Sequence, residues 1–170
     1  MVMIKVQDLE IQTQALLKNQ IKDLEMGHKW MDLASKWKRA QRLEKEQFAL
    51  NQAFLVLKDA NGEQSFHQAA KALILLGHSH RAMGHNRQAR QAYQSSIKHA
   101  QDNGEKQNES VAMGFFHLAS LAEQTWNLKI AIAHYQEARA CFVHLKNKSA
   151  VLQLDEKLKS CTDKQARYKK

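Results

Sequence analysis

An all-α fold is what the sequence predicts, and three observations predict it. The 170 residues contain no proline and only 6 glycines, so helix breakers are scarce. Lys, Gln, Ala, Leu and Glu are abundant, and these lose little side-chain freedom in a helix. Valine is sparse, and no stretch alternates apolar and polar residues with the period of two that a strand needs. The length suits one domain with a real core.

The elements follow in chain order. Ile4, Leu9, Leu16, Leu17, Ile21 and Leu24 recur at mostly helical spacing, which predicts an N-terminal helix over 1–26, broken at Met26-Gly27. Asp59-Ala60-Asn61-Gly62 and Gln101-Asp102-Asn103-Gly104 are loop signals, because Asn and Gly tolerate left-handed backbone. Lys146-Asn147-Lys148-Ser149 is a third, weaker boundary.

The blocks between these signals are copies of one pattern. Leu73-x-x-Leu76-Gly77-x-x-His80, then Gly84, Ala89, Tyr93 and Ser96, superposes on Phe115-x-x-Leu118-Ala119-x-x-Ala122, then Trp126, Ala131, Tyr135 and Ala138. The shift is 42 residues throughout. A third copy lies 43 residues upstream: Trp30-x-x-Leu33-Ala34-x-x-Trp37, then Leu50 and Ala53. That copy carries Glu46 where a small residue is expected and has no glycine between its helices. The predicted units are a degenerate copy over 28–58 and two clearer copies over 66–101 and 108–145. Small residues mark where two helices approach closely, and Leu76, Tyr93, Leu118 and Tyr135 fill the space beside them. One such pair cannot hide its apolar stripe alone, so neighbours must stack. Val151, Leu154, Leu158 and Cys161 predict a capping helix over 148–165, followed by a basic tail over 166–170. The N-terminal helix reads as the opposite cap, with docking or dimerisation as its alternative role.

This spacing resembles the tetratricopeptide repeat, Trp-x-x-Leu-Gly-x-x-Tyr followed by Ala, an aromatic and Ala. The middle copy supplies Leu76, Gly77, Gly84, Ala89 and Tyr93. The last supplies Leu118, Ala119, Ala131, Tyr135 and Ala138, and the first supplies Trp30, Leu33, Ala34 and Trp37. The resemblance covers about 28–144; the 42-residue pitch exceeds the family's usual repeat of about 34 residues and is similar to that of the longer-helix subclass. It implies a solenoid of antiparallel helical hairpins, three repeats with a capping helix at each end. In such proteins the first helix of each pair lines a concave groove that takes a peptide or partner helix. The matching residues are Met31, Ser35 and Lys38, then Lys71, Ile74, His78 and Arg81, then Met113, Phe116, Ser120 and Glu123. That face is apolar at Met31, Ile74, Met113 and Phe116, with a positive middle. A protein or peptide with apolar anchors and acidic flanks would suit it. The basic-and-asparagine pattern that clamps a C-terminal carboxylate is not matched, because Met113 and Phe116 stand where polar groups are needed. The implied role is a non-enzymatic adaptor or scaffold without a cofactor; a small bacterial secretion chaperone is an alternative in the same class.

Charge keeps two other classes open. The formal charge is +9. From Gln64 to Gln101 there is no Asp or Glu, yet Lys71, Arg81, Arg87, Arg90 and Lys98 fall there. A nucleic-acid-associated regulator using this segment is one alternative. Against it, the segment holds only Phe66 and Tyr93 as aromatics, and Tyr93 is claimed by packing, whereas base stacking needs exposed rings. A structural piece completed by a second copy is the other alternative.

His78, His80 and His85 crowd one short stretch, but the first two diverge around a helix and none forms an i, i+4 pair, so no metal site is expected. His67, His78, His80, His85 and His99 share the acid-free segment, so protonation below about pH 6.5 would add charge there. Cys141 and Cys161 lack metal or redox spacing. No nucleophile elbow or phosphate loop is present, and Glu44 and Glu46 diverge on a helix, so no catalysis is expected. No apolar run reaches the length of a membrane span, and a cytoplasmic location is the expectation.

Overall fold

The structure is a computed structural model and describes residues 5–19, 22–103 and 108–168. Expectations that rest on Ile4, Ile21, Gly104, Lys169 and Lys170 lie outside the described residues. Among those described, eight helices and no strand occur: α1 (Val6–Leu17), α2 (Leu24–Arg39), α3 (Leu43–Asp59), α4 (Glu63–Ala82), α5 (Asn86–Asp102), α6 (Glu109–Gln124), α7 (Leu128–His144) and α8 (Lys148–Tyr168). Contacts gather into two compact units, residues 1–89 and 90–170.

In the first unit, α2 packs on α3 and α3 on α4, while α1 lies along α2. The predicted break at Met26-Gly27 is not where the chain turns. Helix α1 ends at Leu17, and α2 runs from Leu24 straight through Gly27. The start of α2 is set by Asp23, whose side chain accepts the Met26 N–H at 2.7 Å and satisfies an otherwise orphan donor. Gly27 serves packing instead. A Cβ there would strike Cγ and Cδ2 of Leu57, a fully buried side chain of α3. The core contains Trp30, Leu33, Ala34 and Trp37 from α2 and Ala49, Leu50, Ala53 and Leu57 from α3, all at most 2% exposed. Each large apolar side chain so placed contributes about 1.5–3 kcal/mol. Thr13 of α1 ties this cap to α2 by accepting the Trp37 indole N–H at 3.3 Å.

Glu46 occupies the position that Ala89 and Ala131 fill in the other copies. It is buried all the same, at 3% exposure. The Ser79 hydroxyl donates to its carboxylate at 3.0 Å, which offsets part of the cost of burying an acid. Burial nonetheless pushes the Glu46 carboxyl above its ordinary range.

In the second unit, α6 packs on α7 and α7 on α8. Tyr93, Val111, Ala112, Ala119, Ala131, Tyr135, Ala138 and Cys161 are fully buried. Here Gly114 admits Ile97 of α5 against the α6 backbone.

Four helix ends use one turn. A residue with left-handed backbone follows the helix: Gln41 (φ 57°), Gly84 (φ 77°), Trp126 (φ 58°) and Lys146 (φ 56°). The next residue's N–H reaches back to a carbonyl five positions earlier: Arg42 to Trp37 (3.0 Å), His85 to His80 (2.9 Å), Asn127 to Ala122 (2.8 Å) and Asn147 to Phe142 (3.0 Å). This is the Schellman arrangement, in which glycine is the unstrained choice. Three of the four ends therefore carry backbone strain that glycine would relieve. Lys146 is exposed. Replacing it by glycine is expected to stabilise the protein by about 0.5–1 kcal/mol, read as a higher denaturant midpoint at constant slope.

Candidate partner-binding surfaces

Helices α2 and α4 touch within the first unit and bring the sequence-predicted residues of that half onto neighbouring elements. Ser35, Lys38 and Lys71 are exposed, and Met31, His78 and Arg81 are half-buried. Ile74 is different: at 7% exposure it packs in the interior. Two of these cations act on one imidazole. Burial first, then the charges of Arg81 and Lys38, hold His78 down at about 4. His78 therefore stays neutral well below pH 6.5, and the expected gain of charge in mild acid does not extend to it. His80 is also held below its ordinary value, by burial and by His85, whose ring lies 6.3 Å away. Its Nδ1 faces the Gln47 amide at 3.2 Å. Among the described residues, no group of three His, Cys, Asp or Glu side chains is placed to share a metal ion.

In the second unit, α6 carries Met113, Phe116, Ser120 and Glu123, all half-buried. The Phe116 ring packs on His117 at 5.4 Å and on Tyr135 at 5.9 Å. Glu123 is engaged by the C-terminal cap. Its carboxylate accepts the Tyr135 hydroxyl (2.9 Å) and the Lys164 ammonium (2.8 Å), and Lys157 lies 3.8 Å away. Burial opposes its charge, but Lys164, Tyr135 and Lys157 outweigh that and keep the carboxyl below its ordinary range. Periodicity along one helix carries no sign of this link, because it depends on residues 12 and 41 positions away.

Sequence reasoning also missed a cavity of about 160 Å³ formed by α5, the end of α6 and α7 within the second unit. Arg90, Gln94 and His134 stand at its edge. The one signal pointing to it was the acid-free run that contains Arg90. Both cysteines are buried, which pushes their thiols up and leaves them unreactive. Among the described residues, no helix is long and apolar enough to cross a membrane.

No protein-family model matches the chain, and no curated protein matches it in sequence. Solved structures match its fold. BtubC (BKLC) from P. vanneervenii is 15% identical with a TM-score of 0.62, over 93% of this chain and 70% of that one. A kinesin-light-chain-type protein of Podosopora anserina with nearly identical TPR-like repeats is 10% identical with a TM-score of 0.56, over 95% and 88%. MamA is 11% identical with a TM-score of 0.54, over 98% and 100%. Likeness at such low identity establishes architecture, and the chain has the all-α helical-hairpin repeat fold of tetratricopeptide type.

Proposed function

We propose that the protein is a non-enzymatic interaction module that binds a peptide or partner helix through the first helices of its repeats. In the first unit the partner meets Met31, Ser35, Lys38, Lys71, His78 and Arg81, and Ile74 supports that face from beneath. The second unit, taken by itself, offers Met113, Phe116 and Ser120 as its own candidate face, while Glu123 is committed to α8. The observation that carries this reading is that α2 and α4 touch, with Lys38 and Lys71 exposed on them and Met31, His78 and Arg81 half-buried. Cationic or titratable groups on two touching helices, with half-buried Met31 on one of them, suit a ligand with acidic flanks and apolar anchors. The repeat fold supports the reading by analogy, since folds of this kind present faces built from successive first helices.

The test is affinity capture from a lysate at moderate salt, wild type beside Lys38→Glu, Lys71→Glu. Both positions are exposed, so the variant is expected to keep its helix content and unfolding midpoint. It is expected to lose the specific protein partner by about tenfold or more in affinity. Equal capture by the variant would move the site off this face. Recovery of nucleic acid, with an affinity falling steeply as salt rises, would replace this reading with the nucleic-acid one.

A further inference from the structure

The cavity between α5, α6 and α7 differs in chemistry from the face proposed above. Its floor is apolar: Leu118, Leu121 and Ala122 are each at most 9% exposed. One wall is Ile130, which leaves 45% of its surface to solvent at the mouth. The rim is polar, and Glu137 lies close enough for its charge to act on His134. Arg90 and Gln94 rise from α5, and His134 stands opposite on α7, held by its stack on Phe115 at 5.9 Å. Arg90 is exposed and makes no ion pair among the described residues; burial holds His134 below its ordinary value, with Glu137 opposing that and Arg90 adding to it. Thr125 and Asn127 complete the lining, and a guanidinium beside the apolar Leu118, Leu121 and Ala122 favours an anion that arrives on an apolar stem. The volume, about 160 Å³, falls below the usual 300–1,000 Å³ of small-molecule sites and is of the order of one aliphatic side chain.

The geometry points to a second docking site, on the second unit, for a partner peptide that presents a leucine-sized side chain next to a carboxylate. The aliphatic group enters between Ile130 and the Leu118–Leu121 floor, and the carboxylate pairs with Arg90. Gln94 is placed to hydrogen-bond the adjoining peptide backbone. This site does not depend on the Lys38–His78–Arg81 face, so either proposal can fail without the other.

The probe is acetyl-Leu-Glu-amide, titrated into the isotope-labelled full chain and followed by NMR. One anchored side chain and one partly exposed ion pair correspond to a Kd on the order of millimolar. Saturable shifts are expected at Gln94, Ile130 and His134. Acetyl-Leu-Gln-amide is expected to bind about 3- to 5-fold more weakly, and Arg90→Gln should make the two peptides equal. Arg90 is exposed, so that variant should keep the wild-type spectrum elsewhere. Absence of saturable shifts at about 10 mM peptide, or equal binding of both peptides by the wild type, would overturn the assignment. Displacement of the peptide by oligothymidylate would give the rim to nucleic acid instead. A sedimentation mass that rises with concentration, and stops rising in Arg90→Gln, would give it to a second copy of this chain.

Discussion

Ile74→Glu is expected to unfold the protein. The position lies in α4 at the spacing of a groove residue, yet its side chain is 7% exposed. A glutamate there must bury its carboxylate or tear α4 from its neighbours. Losing the packed isoleucine costs about 2–5 kcal/mol by itself. An uncompensated buried charge adds about 3–5 kcal/mol. Lys71 sits one turn away but is exposed, and a surface pair at that spacing returns only about 0.3–0.5 kcal/mol. The sum rivals the about 5–15 kcal/mol that holds a domain folded. Circular dichroism at 25 °C should show lost helix content. The variant should regain structure in acid, because a buried carboxyl has a raised pKa and stability then falls as pH rises through it. A variant that folds with the wild-type midpoint would place residue 74 on the surface.

The contrast between Ile74 and its neighbours shows what a sequence can disclose. Size patterning located the packed positions well: Ala34, Ala89, Ala119 and Ala131 are each at most 2% exposed, and Trp37, Tyr93 and Tyr135 are buried beside them. Those positions are fixed by how closely two helices approach, and that requirement is local. Whether a residue one step around the helix faces solvent or another helix is not local, and Ile74 and Phe116 have the same period whichever way they face. The turns were hidden for another reason. A Schellman end requires a backbone conformation, and glycine is merely its least strained occupant. Gln41 and Trp126 adopt it without the residue that would have revealed it, and Lys146 adopts it at a boundary that its neighbours signalled only weakly. The repeat thus persists in volume and backbone geometry while its letters change, in keeping with a fold that matches known structures and a sequence that matches no family model. Glu46 shows how far this tolerance extends: an acid at an alanine position is kept because Ser79 offers a hydroxyl.

Tyr135→Ala should bring the second large loss, and pairing it with Tyr135→Phe separates two causes. The ring is fully buried at the aromatic position of its repeat, so truncation to alanine leaves a cavity worth about 3–5 kcal/mol. Phenylalanine keeps the volume and removes only the hydroxyl that Glu123 accepts, at about 1–1.5 kcal/mol. That smaller loss falls on the anchor of α8, because the same carboxylate holds Lys164. Hydrogen exchange should therefore quicken in α8 of Tyr135→Phe before it does in α6. The sign with pH follows from the depressed Glu123 carboxyl. Its contribution is present above the unfolded value of about 4.5 and is lost as pH falls through the folded one. The difference between wild type and Tyr135→Phe should accordingly be largest at neutral pH and narrow in acid, whereas the alanine cavity penalty should persist at both. An equal loss for the two variants at pH 7 would mean that the hydroxyl, not the ring, carries the position.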